Sequence, residues 1–244
     1  FSVNIHDKQQ LAHNKIPTLF VDSQERLWLG TNNGLQQYNA DQQNFIHYPL
    51  NDQQNQTIRR QSIMAITEDN QQNLWLATTK TFTKISLKND KMKIYNQNTI
   101  DNFHVKQWVR TIHSLNDGRI LIGTDLGLHI FDPKTETINY LTQPNYVVQI
   151  MTDSRHDTWV LALDGLYLFD AKKQAVRLMP YFPLAPTGLD TGCNALTEDQ
   201  HLQLWLICHN GVDVFDLSQR QFIKRFSPKN GANMNNFLTG TSSL

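Results

Sequence analysis

The chain is short of the features that usually announce chemistry. It has two cysteines, Cys193 and Cys208, in 244 residues. Neither belongs to a CxxC pair or to the Cys/His spacing of a metal centre. No Gly-x-Ser-x-Gly, no Walker loop and no His-Glu-x-x-His occurs, so no catalytic residue, cofactor or metal is expected. Neither sign of charge is in excess: 22 Lys and Arg face 22 Asp and Glu. That balance argues against nucleic acid as a partner, because phosphate binding needs a basic surplus. No run approaches the roughly 20 apolar residues of a membrane helix, and no insertion by this segment is expected. The chain does not begin with Met and opens on no leader pattern, so Phe1 reads as a processed start or a fragment boundary.

What is present is repetition. Trp28, Trp75, Trp159 and Trp205 each lie six residues after an Asp: Asp22, Asp69, Asp153 and Asp199. Each also lies ten residues before Tyr38, Ile85, Phe169 or Phe215. A fifth copy carries Leu121 in the tryptophan slot, Leu115 in the aspartate slot and Phe131 ten residues beyond. The steps between copies are 47, 46, 38 and 46 residues. A period of about 40–45 residues holding four short strands predicts a β-propeller.

In the first copy, strand a is the apolar run ending at Val21. Asp22 and the polar residues after it form a turn, where an Asx side chain bonds nearby N–H groups. Strand b follows at Arg26–Thr31, then a turn at Asn32-Asn33-Gly34, strand c at Leu35–Tyr38 and strand d at Phe45–Tyr48. Strand b is apolar on both faces: Leu27-Trp28-Leu29, Leu74-Trp75-Leu76, Ile120-Leu121-Ile122 and Leu204-Trp205-Leu206, with Thr158-Trp159-Val160 a weaker copy. Such a strand must be covered on both sides. With no helical segments between the strands, neighbouring sheets must do the covering. Each buried tryptophan removes about 150–250 Å² from water, on the order of 4–6 kcal/mol as an upper bound. Cys193 and Cys208 fall at slots that other copies fill with Ile, Val, Thr or Ala, and read as small buried packing residues. If the turn near Gln200–His201 is tight, they face each other across paired strands and a disulfide is open to them.

The predicted fold is therefore all-β, a β-propeller of four-stranded antiparallel blades with five complete repeats and partial blades at both ends. As a single propeller domain or fragment spanning 1–244, its blades cover about 16–49, 62–97, 108–142, 146–180 and 192–228. Residues 1–15 supply a strand of a closing blade, and 233–244 resemble the start of a sixth that is cut short. A closed ring of five with loose tails is the alternative.

The segments LFVDSQERLWLGTNNGLQQYN, ITEDNQQNLWLATTKTFTKIS, IHSLNDGRILIGTDLGLHIFD, MTDSRHDTWVLALDGLYLFD and LTEDQHLQLWLICHNGVDVFD resemble two-component regulator propeller repeats, whose pattern is roughly D-x-x-G-x-L-W-x-G-T-x-x-G-L-x-x-Y/F-D. The resemblance implies a periplasmic ligand-sensing ectodomain of an inner-membrane receptor. In that family it is followed by a further β-domain, a membrane helix and an output module, commonly a histidine kinase or a diguanylate cyclase. The repeat residues are structural, so the resemblance carries over no catalytic residue.

Length variation points to a site. The Asp-to-Trp and Trp-to-Tyr/Phe distances are fixed, whereas the d–a connections vary. Together with the b–c turns they are expected on one face, where loops on a rigid scaffold hold binding groups. That face is expected to present Arg59, Arg60, His104, Lys106, Trp108, Arg110, Tyr146 and Tyr181, with Phe182 and Asp190 nearby. The cations suit a carboxylate, sulfate or phosphate, and Trp108 and Tyr181 suit stacking on a sugar ring. The competing reading is of solvated charges and loop-packing aromatics. Three functions follow: a non-catalytic sensor of a small carbohydrate or anionic ligand, a protein-interaction scaffold or homodimerisation module, and a small propeller lyase or hydrolase using His104 and Arg110. The third is disfavoured because Asp and Glu cluster at the a–b turns, on the other face.

Overall fold

The computed structural model describes residues 10–48, 61–78, 81–89, 91–96, 108–141, 143–180 and 192–227. It consists of five four-stranded antiparallel sheets, each a meander in chain order, and among the described residues there is no helix. Blade 1 is β1 (Thr18–Val21), β2 (Leu27–Thr31), β3 (Gly34–Asn39) and β4 (Asn44–His47). Blade 2 is β5 (Ile63–Glu68), β6 (Asn73–Thr78), β7 (Phe82–Ser86) and β8 (Lys91–Tyr95). Blade 3 is β9 (Val109–Ser114), β10 (Ile120–Thr124), β11 (Leu128–Asp132) and β12 (Thr137–Leu141). Blade 4 is β13 (Val147–Thr152), β14 (Thr158–Ala162), β15 (Gly165–Asp170) and β16 (Ala175–Leu178). Blade 5 is β17 (Cys193–Glu198), β18 (Gln203–Cys208), β19 (Gly211–Asp216) and β20 (Gln221–Phe226). These are propeller-type blades, grouped in two compact units: residues 1–122 with 129–139, and 123–128 with 140–244.

The spacing of six residues between Asp and Trp has a direct physical cause. The indole Nε1–H of Trp28, Trp75, Trp159 and Trp205 donates to Oδ2 of Asp22, Asp69, Asp153 and Asp199, at 2.8 Å in all four. The other carboxylate oxygen accepts the backbone N–H two and four residues on, closing the a–b turn. One carboxylate thus shapes a turn and satisfies the polar atom of the largest core side chain. In blades 1 and 2 a cation completes the arrangement: Arg26 and Lys84 lie over the Trp28 and Trp75 rings, 5.6 and 5.4 Å from the centroids. Blade 3 dispenses with the pair. Leu115 and Leu121 are both buried there, and the turn is held instead by Asp117, which accepts from the backbone and guanidinium of Arg119.

Each a–b turn also places one residue in the left-handed region, three after the aspartate slot. Blade 3 uses Gly118 there, at φ 88°. The other blades force Glu25, Gln72, His156 and Leu202 into it, at φ 61°, 62°, 67° and 59°.

Within each unit, the first strand of one blade packs on the first two strands of the preceding one: β5 on β1 and β2, β9 on β5 and β6, and β17 on β13 and β14. Trp28 is buried in a cluster with Ile63, Ile66 and Leu76. Trp75 lies among Val109, Ile120 and Phe131. Trp159 lies among Cys193, Leu196 and Phe215. Polar ties repeat along the seams. Ser23 donates through N–H and Oγ to Glu68, and Ser154 does the same to Glu198. The Gln149 amide makes a two-way bond with the Leu196 backbone, acting as a piece of extra strand. Trp205 is the exception among the repeat tryptophans, being only half-buried. It stacks on Phe226, with centroids 5.9 Å apart.

Two stability predictions follow from this geometry. Asp69→Ala strips acceptors from a buried indole and two turn amides, and is expected to cost about 3 kcal/mol, whereas Asp199→Ala, at the half-buried Trp205, costs about half as much. Gln72→Gly removes a left-handed penalty and is expected to stabilise by roughly 1 kcal/mol, net of the glycine's chain entropy. Urea unfolding midpoints at constant slope check both.

Candidate functional site

Of the residues expected on the loop face, Arg59, Arg60, His104, Lys106 and Tyr181 lie outside the described residues, as do Phe182 and Asp190. Trp108, Arg110 and Tyr146 are described. Trp108 directly precedes β9 and is 59% exposed, the largest aromatic surface among the described side chains. Arg110, two residues further on and the second residue of β9, is half-buried. Alternation along a strand puts residues two apart on the same face of the sheet.

Tyr146 belongs to the other unit, at the entry to β13. Its backbone is left-handed, at φ 51°, and its carbonyl accepts the Leu163 N–H at 3.2 Å. That bond ties the short connection into blade 4 to the b–c turn of the same blade. A second tie runs from the Asn145 N–H to Asp164 Oδ2 at 3.4 Å. The buried Tyr167 hydroxyl hydrogen-bonds the same carboxylate. Burial first, and then that bond and the charge of Asp164, push the Tyr167 phenol up to about 12, so it is a neutral donor. The result is a small constellation of Asn145, Tyr146, Asp164 and Tyr167, with Leu163 exposed beside it. It offers a carboxylate, an amide and the Tyr146 phenol, groups that orient a polar ligand by hydrogen bonds, with the buried Tyr167 phenol set against the carboxylate.

Reasoning from sequence missed Asp164 and Tyr167, and it missed the slot to which Tyr167 belongs. Two residues after the b–c turn residues Gly34, Thr81, Gly127, Gly165 and Gly211 stand Gln36, Thr83, His129, Tyr167 and Asp213, and all five are buried. The signal was available: in the last three copies a titratable residue interrupts an apolar strand, as Leu-His-Ile, Leu-Tyr-Leu and Val-Asp-Val. Gln36 uses its slot to clamp the backbone of Gln10 and Ala12.

Cys193 and Cys208 are directly opposed in the β17–β18 register and joined as a disulfide. Asp213 lies beside them. These three are the one group among the described residues whose ligand atoms are close enough to share a metal ion, but the two sulfurs are bonded to each other. A cleft of about 700 Å³ opens beside Trp205, lined by Ser154, Glu198, Asp199, Leu202 and others. Its carboxylates are already engaged, Glu198 by Ser154 and Asp199 by the Trp205 indole, so it has the character of a packing face rather than a reaction site. No helix of the described residues is long and apolar enough to cross a membrane.

On β9, three residues beyond Arg110, His113 is pushed down to about 4 by burial and is neutral at pH 7. At the turns, burial acts to raise the carboxyls of Asp22 and Asp69. It is outweighed by the bonds from Trp28 or Trp75 and the turn N–H groups, and both are held below 3.8.

Comparison with known proteins agrees with this architecture. The profile of the family described as two component regulator propeller matches residues 10–33 and 57–80. The extracellular domain of BT3049 of B. thetaiotaomicron, described as a hybrid two component system, superposes with a TM-score of 0.78 at 22% identity, over 96% of this chain and 31% of that one. The extracellular domain of BT4673 of the same organism, described as a one component system, gives a TM-score of 0.54 at 18% identity, over 91% of this chain and 36% of that one. YCF48 bound to D1 peptide gives a TM-score of 0.60 at 13% identity, over 91% of this chain and 75% of that one. The chain thus spans about a third of the two extracellular domains, and at these identities the likeness is one of fold. No curated protein matches it.

The titrations give a stability profile with two steps. Between pH 6.5 and about 4 the unfolded chain takes up a proton that folded His113 refuses, so stability falls. Below 3.8 the unfolded chain protonates aspartates that the fold keeps ionised, and stability falls again. His113→Leu is expected to flatten the upper step and leave the lower one, as read by unfolding free energy against pH.

Proposed function

We propose, from the premise that the blades of this chain are two-component regulator propeller repeats, that it is the non-catalytic ligand-sensing part of an extracytoplasmic domain in a bacterial signal-transduction receptor. The observation that carries this reading is the coincidence of repeat identity with the superposition on the BT3049 extracellular domain along nearly the whole chain. The receptor is placed in the inner membrane, with this segment in the periplasm. Its ligand is a small carbohydrate or anionic molecule, taken up on the face of d–a connections and b–c turns.

What supports that face is chemistry. Trp108 presents a large exposed ring, suited to stacking. Arg110, two residues further on, supplies a fixed cation for a carboxylate, sulfate or phosphate. In the other unit, the Asn145–Tyr146–Asp164–Tyr167 constellation is a separate set of hydrogen-bonding groups held by their own backbone. Groups held by their own backbone bind at low ordering cost.

A second reading is a docking scaffold, for a partner segment or for a second copy of the chain. It draws on YCF48, a similarly folded protein whose structure holds a D1 peptide. Exposed tryptophan and arginine suit a protein anchor as well as a sugar.

The experiment is a thermal-denaturation panel of oligosaccharides and small anions, repeated with Trp108→Ala. A ligand at about 100 times its Kd stabilises by about 2.7 kcal/mol, enough to raise the midpoint by several degrees. Trp108→Ala is expected to weaken that ligand at least about tenfold. No shift across the panel, with chemical cross-linking that captures a dimer or a partner, would replace the small-ligand reading by the scaffold.

A further inference from the structure

We propose that Cys193–Cys208 is a reversible redox latch, whose reduced form is stabilised by the Asp213 carboxylate. Three observations in blade 5 lead there.

The bond is dispensable for the blade. It joins the first residue of β17 to the last of β18, strands already paired along their length. The same register position is filled by Ile63 opposite Thr78 in blade 2 and by Val147 opposite Ala162 in blade 4, with no covalent link. The folded hairpin therefore does not depend on the bond for its register, and the stabilisation it gives acts through the unfolded chain. Its sequence separation is only 15 residues, at the short end of what chain entropy rewards.

Blade 5, the one with the cysteine pair, is also the one with an acid at the polar slot of its third strand. Asp213 is 0% exposed. Its Oδ2 lies 3.7 Å from Cys208 Sγ, and its Oδ1 lies 3.7 Å from Nε of its cross-strand partner Arg225, the countercharge. A disulfide sulfur has no proton to give. A thiol at Cys208 has one, with two acceptors in reach, the Leu206 carbonyl oxygen at 3.6 Å and Oδ2 at 3.7 Å, of which only the carboxylate is charged. Reduction therefore adds a charge-assisted hydrogen bond that the oxidised state lacks.

The latch also sits at a strand end that can open. Beyond it the strands are closed by the His209 N–H donating to the Gly192 carbonyl at 3.3 Å. Breaking that bond frays the residue pair next to the sulfurs, which are buried in the core cluster, so attack requires this end of the hairpin to open one pair further. The reductant is a dithiol, small or protein-borne. One of its thiolates attacks Cys193 Sγ, the S–S bond breaks, and Cys208 leaves and takes a proton. The second reductant thiol then displaces Cys193 from the mixed disulfide. Two electrons and two protons pass from the dithiol to the pair, and the reductant leaves as its own disulfide.

The test is equilibration of the folded protein in dithiothreitol redox buffers, with acid quench, alkylation and mass measurement. Wild type is expected to reduce with its far-ultraviolet circular dichroism unchanged. Asp213→Asn is expected to need about a tenfold higher ratio of reduced to oxidised reagent at the midpoint, the difference between a charged and a neutral acceptor. Cys193→Val with Cys208→Ala, the pair found in blade 4, is expected to fold, with a melting temperature lowered by about 5–10 °C through the freer unfolded chain. An infrared S–H stretch of the reduced wild type, shifted to low frequency for Cys208, reads the same bond should Asp213→Asn fail to fold. A disulfide that opens only on global unfolding, a double variant that does not fold, an unshifted or reversed Asp213→Asn midpoint, or a free-thiol S–H frequency would each overturn the latch.

Discussion

One hydrogen bond organises each of four blades: the indole N–H of a core tryptophan donating to the carboxylate six residues before it. A tryptophan is the largest apolar body available for filling the space between two sheets. Its ring nitrogen is also a donor that must not be buried alone. The aspartate resolves that conflict and at the same time fixes the turn from which strand b departs. A single polar contact therefore sets both the local hairpin and the wedge against which the next blade leans. Blade 3 shows the alternative solution. Where the tryptophan is replaced by Leu121 there is no donor to satisfy, and the aspartate slot becomes Leu115 as well. The two positions change together, as a coupled pair should.

The rest of the architecture is economical around that contact. Within each unit, the first strand of the following blade covers the tryptophan strand of its predecessor in blades 1, 2 and 4, and a small residue permits the approach in blade 1. At Gly30 a side chain would collide with Thr18 and Ile63. The seams are then tied by side chains that mimic backbone, such as Gln149 on Leu196, or that bridge turns, such as Ser23 on Glu68 and Ser154 on Glu198. At the outer edge, Lys93 pairs with Glu136 and Arg220 with Asp157, at 2.6 Å for the latter. Such exposed ion pairs add little to stability and serve mainly to fix register between blades.

Much of the fold was legible because it is periodic. The Asp-to-Trp and Trp-to-aromatic spacings located the strands, and the two-sided apolar character of strand b required sheets on both sides. The left-handed turn residues were not legible, since only Gly118 advertises one, while Glu25, Gln72, His156 and Leu202 are chemically unremarkable. The disulfide depended on a register that the sequence does not state: Cys193 meets Cys208 only because the a–b turn is tight and a bulge separates Cys193 from Ala195. The half-burial of Trp205 was also unforeseen, because its sequence is indistinguishable from that of the three buried copies. For the site, composition named Trp108, Arg110 and Tyr146. It could not show that Tyr146 is held by its backbone, or that Asp164 and Tyr167 stand beside it. Those contacts arise from turn conformations rather than from residue type. The proposal of a sensor rests on the exposed Trp108 and the backbone-held turn at Tyr146, and on the company its repeats keep.

Indole hydrogen exchange followed by NMR tests the central contact most directly. The Nε1–H protons of Trp28, Trp75 and Trp159 are predicted to exchange orders of magnitude more slowly than that of Trp108, with Trp205 between them. Comparable exchange at all five indoles would contradict the view that a buried carboxylate-capped tryptophan is what each of these blades is built upon.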